Sequence, residues 1–560
     1  MKLQLCILCV LGGAVFLSLG AQAVDFTSSN LPIVIIDTQG QNIRNEPKIT
    51  AHMSIIYNGP GKRNHMTDAP NHYDGYIGIE YRGDSSLQFD KKQFAIETRD
   101  SLGANLNLSL FGMPRENDWV LYAPYSDKSL MRNVLAYKLS ADLGHYASRT
   151  QFCEVVLNGE YWGIYVFMEK IKRDKGRIAI ADLDSTEVDS PDVTGGYILK
   201  VDKSAGGNVG GWFSDFPLFY EGGRGRIYYQ YHFPKPDEIT PPQKEYIQQF
   251  MFDFQTMMSG EHYDLPGSGM WTAMNMSSVL DFVIVNEISK NVDAYRLSAY
   301  LYKDRYDRDP RIHVGPVWDF NLAFGNASYH TAYSPRDWQI EYFMYNDMFN
   351  NGGDSFMMPF WWGEIWTSPR FQNKLYERWW QVRHTVLDVD RLLNYIDDTA
   401  ALLDEAQQRN FERWPVLGRY VWPNPYIGYT YQDEIDYLKS WLQDRMEWMD
   451  DHLHIDPAVV EHQSNIAAPQ LALAPNYPNP FNASTTLPIY VSQPAEVHLG
   501  IYNVNGRRVR KLVQQFLSAG HYMFHWNARN DAGIDVPSGV YYARLSTDQF
   551  VESQKLIVLR

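Results

Sequence analysis

Apolar and polar residues alternate with a period of two through "YIGIEYR" (76–82) and again through "KKQFAIETR" (91–99), with the turn-rich "GDSSLQFD" between them. Alternation of this kind predicts half-buried strands. "QFCEVVLNG" and "YWGIYVFMEK" form a second pair, joined through Asn158-Gly159, a dipeptide suited to a tight hairpin turn. Elsewhere the period becomes that of a helix. In "SLMRNVLAYKLSADLG" (129–144), Leu130, Val134, Ala136 and Leu139 fall near helical spacing and Gly144 is a stop. "TPPQKEYIQQFMFDFQTMM" (240–258) opens with a Thr cap and Pro in the first turn. "SSVLDFVIVNEISKN" (277–291) sets Leu280, Val283, Ile284 and Ile288 on one face, and "DEIDYLKSWLQDRMEWMDDHL" (433–453) does the same with Ile435, Leu438, Leu442 and Met449.

Strands first and helices mostly after predict an α+β domain over residues 24–455, its sheet mainly antiparallel. The Ala, Pro, Asn, Ser and Thr of "HQSNIAAPQLALAPNYPNPFNASTT" mark a break, with a linker at 456–474. Beyond it, "EVHLGIYNVNGRRVRKLV", "GHYMFHWNARNDAGIDVPSGVYYARLS" and "QKLIVLR" are short alternating runs separated by Asn-Gly, Asp-Ala-Gly and Pro-Ser-Gly turns. Residues 475–560 therefore read as a small all-β sandwich of the Ig-like kind.

One hairpin carries candidate chemistry. "LSAYLYK" (297–303) alternates, "DRYDRDP" reverses the chain, and "RIHVGPVW" (311–318) returns. Asp293 lies in the loop before the first strand and Asp319 stands at the end of the second. Paired strands run about 5 Å apart, so this hairpin brings two carboxylates to one mouth. Two acids so placed can divide the work of phosphoryl transfer, one orienting or deprotonating the attacking hydroxyl and one holding a divalent ion. Asp is also a common turn and cap residue, and spacing alone leaves both readings open.

A phosphate-side cation is sought upstream. Lys92 shares strand parity with Phe94, Ile96 and Thr98, which points it to the apolar face, while Lys91 goes with Gln93 and Glu97. An inward Lys needs a carboxylate or a phosphate to offset its burial; a strand-end Lys that reaches solvent needs neither. The apolar run "YWGIYVFMEK" ends on Glu169.

Charge and composition narrow the classes. A net charge of −16 excludes wholesale binding to nucleic acid or anionic membrane. "MKLQLCILCVLGGAVFLSLGAQA" (1–23) has a basic start, an apolar run and a small-residue cleavage site, and reads as a secretory signal. No later stretch is apolar and long enough to span a bilayer. After cleavage Cys153 is the one remaining cysteine, so neither an intrachain disulfide nor a cysteine zinc site is available. "FWWGEIW" (360–366) reads as a core helix ahead of a sugar-stacking platform.

The segments "YRGDSSLQFDKKQFAIE", "DWVLYAPYSDKSLMRNVLAYKLSADLG", "EVVLNGEYWGIYVFMEKI" and "GPVWDFNLAFG", in that order over about 75–325, resemble the CotH (spore-coat protein H) family of atypical secreted protein kinases. The resemblance implies an atypical protein-kinase-like domain using ATP with Mg²⁺ or Mn²⁺ and acting on Ser or Thr of surface or secreted proteins. It makes Asp293 the catalytic aspartate and Asp319 the metal-binding one. It makes Lys92 the nucleotide-phosphate lysine, with Lys91 as substitute, and places Arg82, Arg132 and Glu169 on motif positions of the nucleotide side, Glu169 as hinge or ion pair. Two positions depart from the family pattern. Asn321 stands where a second acid often follows the aromatic, and Ser298 stands where a kinase loop usually has Asn. Both are neutral oxygen donors that can serve a hard cation through water. A kinase-like structural or adhesive surface protein without turnover is the alternative. "YPNPFNASTT", "IYNVNGRRVRKL", "AGHYMFHWNARNDAG", "PSGVYYARL" and the terminal "KLIVLR" are similar to the type A sorting domain of the type IX secretion system. That similarity implies the secretion machinery as a partner and the outer surface of a Gram-negative bacterium as destination; an Ig-like adhesive module would have the same strands.

Overall fold

A computed structural model describes residues 24–204, 210–216, 227–346, 358–454, 471–473, 476, 479–491, 494–518, 520–547 and 551–560. The expected signal segment 1–23 lies outside the described residues, as does the expected linker 456–474 apart from Leu471–Leu473.

Seven strands close into a barrel in the order Ile33–Asp37, Ile49–Ile56, Tyr73–Arg82, Gln93–Arg99, Asp118–Tyr122, Glu160–Glu169 and Thr150–Leu157. The last returns to the first through a parallel seam, Ile33 opposite Glu154 and Ile36 opposite Leu157. The alternation read from the sequence fills the interior with Val34, Ile36, Met53, Ile55, Ile77, Ile79, Phe94, Ile96, Trp119 and Phe167. Closure leaves no free sheet edge. Periodicity did not reveal this closure, because its seam joins strands more than a hundred residues apart. The unbroken apolar run of Glu160–Glu169 has a separate cause: Tyr165 and Phe167 face the barrel core while Ile164, Val166 and Met168 face the helices.

A second, five-stranded sheet runs Gly211–Phe213, Tyr228–Phe233, Tyr197–Val201, Ala299–Lys303, Ile312–Val314. The return strand expected over 311–318 is shorter and ends at Val314. Gly315 takes φ +110° and Pro316 has no amide to extend the ladder. Asp319 therefore stands in a loop beyond the strand.

The helix Met276–Ser289 was expected to bury one face. It is buried on nearly all sides, from Ser278 to Ser289. Asn275 caps its start by accepting from the Ser278 amide at 3.1 Å, and Lys290 ends it in the left-handed region at φ +44°. Near its C-terminus the Glu287 carboxylate accepts from the Tyr295 hydroxyl (2.8 Å), the Gln339 and Ile340 amides (2.8 and 3.0 Å) and Arg445 (3.2 Å). Arg445 in turn donates to the carbonyls of Glu287, Pro335 and Asp337. Phe360–Thr367 is helical, with Trp361 and Trp362 at 1% exposure, so "FWWGEIW" is core.

The C-terminal region is all β. A three-stranded sheet (Leu471–Leu473, Thr485–Val491, Gly520–Trp526) and a four-stranded sheet (Arg508–Leu517, Ala495–Asn503, Gly539–Ser546, Val551–Val558) share a core that includes Leu487, Ile489, Leu499, Ile501, Trp526, Ala543 and Leu545. The α+β class with a following β-sandwich is thus the observed architecture.

Removing one partner of a buried pair strands the other charge. Glu287→Gln is expected to destabilise the large domain by about 3 kcal/mol, read as a lower urea midpoint by tryptophan fluorescence. Glu377→Gln, which breaks the exposed Lys374–Glu377 pair (2.6 Å), should shift it by under about 0.5 kcal/mol. Equal shifts in the two variants would show that Glu287 is not an anchor.

Candidate functional site

Asp293 is set by a tight loop after the buried helix. Its amide donates to Asn291 Oδ1 (3.2 Å) and its carbonyl accepts from the Leu297 amide (3.0 Å). Tyr295, at φ +68°, is tied to Glu287, and the Arg296 guanidinium lies 4.6 Å over the Phe343 ring. With its neighbours fixed, the Asp293 side chain stays 19% exposed, with Arg296 3.9 Å away.

Asp319 is held from the other side by the helix Arg132–Asp142. Its amide donates to the Tyr137 hydroxyl (3.3 Å), and the Phe320 amide donates to Asn133 Oδ1 (2.6 Å). Trp318 stacks on Tyr137 with centroids 6.0 Å apart, and the Arg82 guanidinium sits 5.5 Å over the Trp318 ring. The Asp319 backbone is left-handed, φ +67°, a conformation Asp and Asn accept more readily than other residues.

Asp293 feels the charge of Asp319. Burial pushes Asp293 up to about 6; Arg296 opposes the rise, and Asp319 and Asp202 add to it. Asp319 is raised as well, first by burial and also by Asp202, against Arg82, Lys200 and Lys203. The hairpin does bring both acids to one site.

The other residues named from the sequence separate into two groups. Arg82 reaches the site, through Trp318 and the charge of Asp319. Ser298, at φ +49°, reaches it through a 3.5 Å contact from its hydroxyl to Asp202 Oδ2. Asn321 follows Asp319 by two residues, and its carbonyl accepts from Asn326 Nδ2 at 2.8 Å. The lysines lie elsewhere. Lys91 is the buried one, at 1% exposure, and its ammonium donates to the Ile164 carbonyl (2.6 Å) and Asn410 Oδ1 (2.7 Å). Lys92 is half-buried and donates to the Leu87 and Phe89 carbonyls, both at 2.6 Å. The parity expectation is thereby reversed, because both lysines precede the strand, which begins at Gln93. Arg132 is fully buried and pairs with Asp127 at 2.7 Å, beside the start of its own helix. Glu169 is an ion-pair residue, meeting Arg149 at 3.0 Å and Arg177 at 3.5 Å.

Two further residues of the candidate site escaped the sequence reading. Tyr197–Val201 delivers Lys200 and, just past its end, Asp202 on the same side, two residues apart. They are ion-paired, with side chains 20% and 12% exposed, and the Lys200 ammonium lies 5.8 Å over the Tyr300 ring. Burial works against that ammonium, yet Tyr300, Asp202 and Asp319 hold its pKa above the ordinary lysine value. "YILKVD" carried the signal: Tyr197, Leu199 and Val201 are apolar on one parity, and Lys200 and Asp202 interrupt the other.

Asp202, Asp293 and Asp319 offer hard carboxylate oxygens of the type that Mg²⁺ and Mn²⁺ take, so the donor chemistry fits a divalent cation. Among the described residues no group of three or more His, Cys, Asp or Glu could hold a metal ion, so a cation here would draw on one or two of these carboxylates together with neutral oxygens and water.

A family model described as CotH kinase protein matches residues 79–449, and one described as FlgD Ig-like domain matches residues 479–549. No curated protein matches the chain. Among solved structures, it is similar to dimeric latent PorU from Porphyromonas gingivalis, at 21% identity over 16% of this chain and 9% of that chain, TM-score 0.14. It is similar to PorZ, a surface component of the type-IX secretion system of the same organism, at 22% identity over 16% and 12%, TM-score 0.13. The DNA glycosylase AlkC of Pseudomonas fluorescens matches at 11% identity over 35% and 72%, TM-score 0.13. The chain thus spans about a tenth of the length of the first two.

A carboxyl whose folded pKa is raised favours the fold while protonated. Asp293 therefore contributes fully below pH 4, and that contribution is lost as pH rises through about 6. With metal chelated, Asp293→Asn should raise the melting temperature at pH 7.5 and leave it nearly unchanged at pH 4.5. A variant that melts lower at pH 7.5 would identify the carboxylate as a structural anchor instead.

Proposed function

The chain belongs to the CotH kinase family, and on that premise we propose that it transfers the γ-phosphoryl group of ATP to Ser or Thr hydroxyls of surface or secreted proteins. The observation that carries the reading is the gathering of Asp293, Asp319 and Asp202 at one half-buried site rimmed by Arg296, Arg82 and Lys200. Asp293 receives the acceptor hydroxyl: its carboxylate accepts the hydroxyl hydrogen bond, orients the oxygen for attack and takes the proton. Its raised pKa brings it nearer the range in which a base accepts a proton readily at neutral pH. Asp319 supplies the principal carboxylate for Mg²⁺ or Mn²⁺, with Asn321, two residues on, and Ser298, whose hydroxyl meets Asp202, to serve through water. A bound divalent ion supplies charge neutralisation of the phosphates. Arg82 places a positive charge beside Asp319, where phosphate oxygens gather.

Export to the outer surface through the type IX machinery follows from the signal-like segment 1–23 and from the "YPNPFN" opening and "KLIVLR" tail of the C-terminal domain. A second reading, a kinase-like surface protein without turnover, is favoured by two observations: Lys91 and Lys92 are both bound to backbone carbonyls away from the acids, and Asn321 and Ser298 replace two family ligands.

Asp293→Asn decides between them. A kinase should lose transfer of labelled phosphate by about two orders of magnitude and still bind ATP with Mn²⁺. Asp319→Asn, which keeps the left-handed backbone acceptable, should abolish Mn²⁺-dependent nucleotide binding with the melting curve intact. Transfer present in the wild type and unchanged in Asp293→Asn would place the catalytic carboxylate elsewhere; no transfer in either would favour the inactive reading.

A further inference from the structure

If the chain is a metal-dependent kinase, the reading on which this inference rests, some cation must meet the nucleotide's phosphates, and neither Lys91 nor Lys92 reaches the acids. Among the described residues, cations whose charge acts on Asp319 include Arg82, Lys200 and Lys203. Arg82 is stacked on Trp318, and Lys203 extends to Asp84 at 2.7 Å. Lys200 differs from both: its partner, Asp202, is itself one of the acids that act on Asp293 and Asp319.

We propose that Lys200 and Asp202 are an exchangeable pair through which nucleotide and divalent cation bind together. Lys200 leaves Asp202 for a phosphate oxygen, and Asp202 turns to the cation beside Asp319. The two side chains leave the same face of one extended segment, about 7 Å apart along it, so both can serve one phosphate–metal cluster. Each is mostly buried, so either left alone is costly. Phosphate arriving alone takes Lys200 and leaves three carboxylates, Asp202, Asp293 and Asp319, facing further negative charge. A cation arriving alone takes Asp202 and leaves Lys200 beside it unpaired. Only joint arrival gives both Lys200 and Asp202 a new partner of opposite charge. The pair thereby makes each ligand raise the other's affinity, a coupling that is reciprocal by thermodynamics. Tyr300 keeps the ammonium close throughout, since its ring face attracts the cation at 5.8 Å whichever anion Lys200 meets.

The test is binding without turnover, on the full chain: Mn²⁺ alone by electron paramagnetic resonance, and a non-hydrolysable ATP analogue by calorimetry with Mn²⁺ or with chelator. Lys200→Met frees Asp202, so Mn²⁺ alone should bind more tightly while the analogue with Mn²⁺ binds about 10-fold more weakly. Asp202→Asn frees Lys200, so the analogue with chelator should bind more tightly while the gain on adding Mn²⁺ shrinks about 10-fold. Lys200→Arg should restore analogue binding in part. A merely structural pair gives neither of these opposite-signed changes, only lowered melting. Each variant carries its own sign, so one that fails to fold leaves the other to decide. If both variants bind within twofold of wild type while Asp319→Asn abolishes Mn²⁺ binding, the exchange is overturned and the kinase reading stands. If the wild type binds neither Mn²⁺ nor the analogue, both fall together.

Discussion

The Glu287–Arg445 pair is the constraint on which the geometry of the site depends. It is a carboxylate and a guanidinium at 1% and 0% exposure, a placement that costs several kcal/mol per ion unless the remaining hydrogen-bonding capacity is met. Here it is met almost entirely by backbone and one hydroxyl. Glu287 takes Tyr295 from the Asp293 loop and two amides from the segment that opens the helix Gln339–Asn346. Arg445, from the closing helix, gathers three carbonyls around the same point. One ion pair thus joins the loop before the hairpin, the chain after it and the last long helix of the domain. Burial raises the Glu287 pKa and lowers that of Arg445 to about 10, each against the pull of the partner's charge.

Rigidity at that anchor makes the strain at the acids possible. Two carboxylates whose charges repel, one of them on a left-handed backbone, would relax apart in a pliable loop. Asp293 is kept in place by Asn291, Leu297 and the tethered Tyr295; Asp319 is kept in place by Tyr137 and Asn133. The helix Arg132–Asp142 therefore contributes to the site through its polar side chains and one stacked ring, while its apolar side chains contribute to the core. The raised pKa values record the same tension as geometry does. The site keeps two repelling acids close in a poorly solvated place, and a cation or a proton is what relieves them.

Legibility from the sequence followed the range of the interactions. Strands with an alternating pattern, capped helices and the hairpin between Asp293 and Asp319 were readable because their signals are local. The barrel closure was not, since pairing Ile33 with Glu154 leaves no mark on either segment. The double-sided burial of Met276–Ser289 was hidden for a similar reason: Asn286, Glu287 and Ser289 look like a polar face until Arg445 and the helix's own carbonyls turn out to satisfy them. The lysine error has a sharper cause. Parity applies only inside a strand, and Lys92 and Lys91 stand one and two residues outside it; the Lys92 ammonium turns back to carbonyls of its own turn, while that of Lys91 reaches the strand Glu160–Glu169 and Asn410.

Lys91 also shows why a buried lysine in a kinase-like chain is weak testimony about nucleotide. Its ammonium meets Asn410 Oδ1, which also accepts from the Ile164 amide at 3.1 Å, so one side-chain oxygen pins the helix Val389–Arg413 to the barrel strand Glu160–Glu169. Gly163 makes the approach possible, for a Cβ there would stand 2.6 Å from the same oxygen and its φ of +97° suits glycine. Among the described residues no carboxylate is bonded to it; Lys91 is held by neutral dipoles, and burial drives its pKa well below the ordinary lysine value. A group so placed stabilises a joint between helix and barrel. Lys200 is the contrary case: both lysines lie over a tyrosine ring, but Lys200 is kept charged by acids at the edge of solvent. That difference in partners, more than order along the chain, separates a lysine that holds the fold from one available to a phosphate.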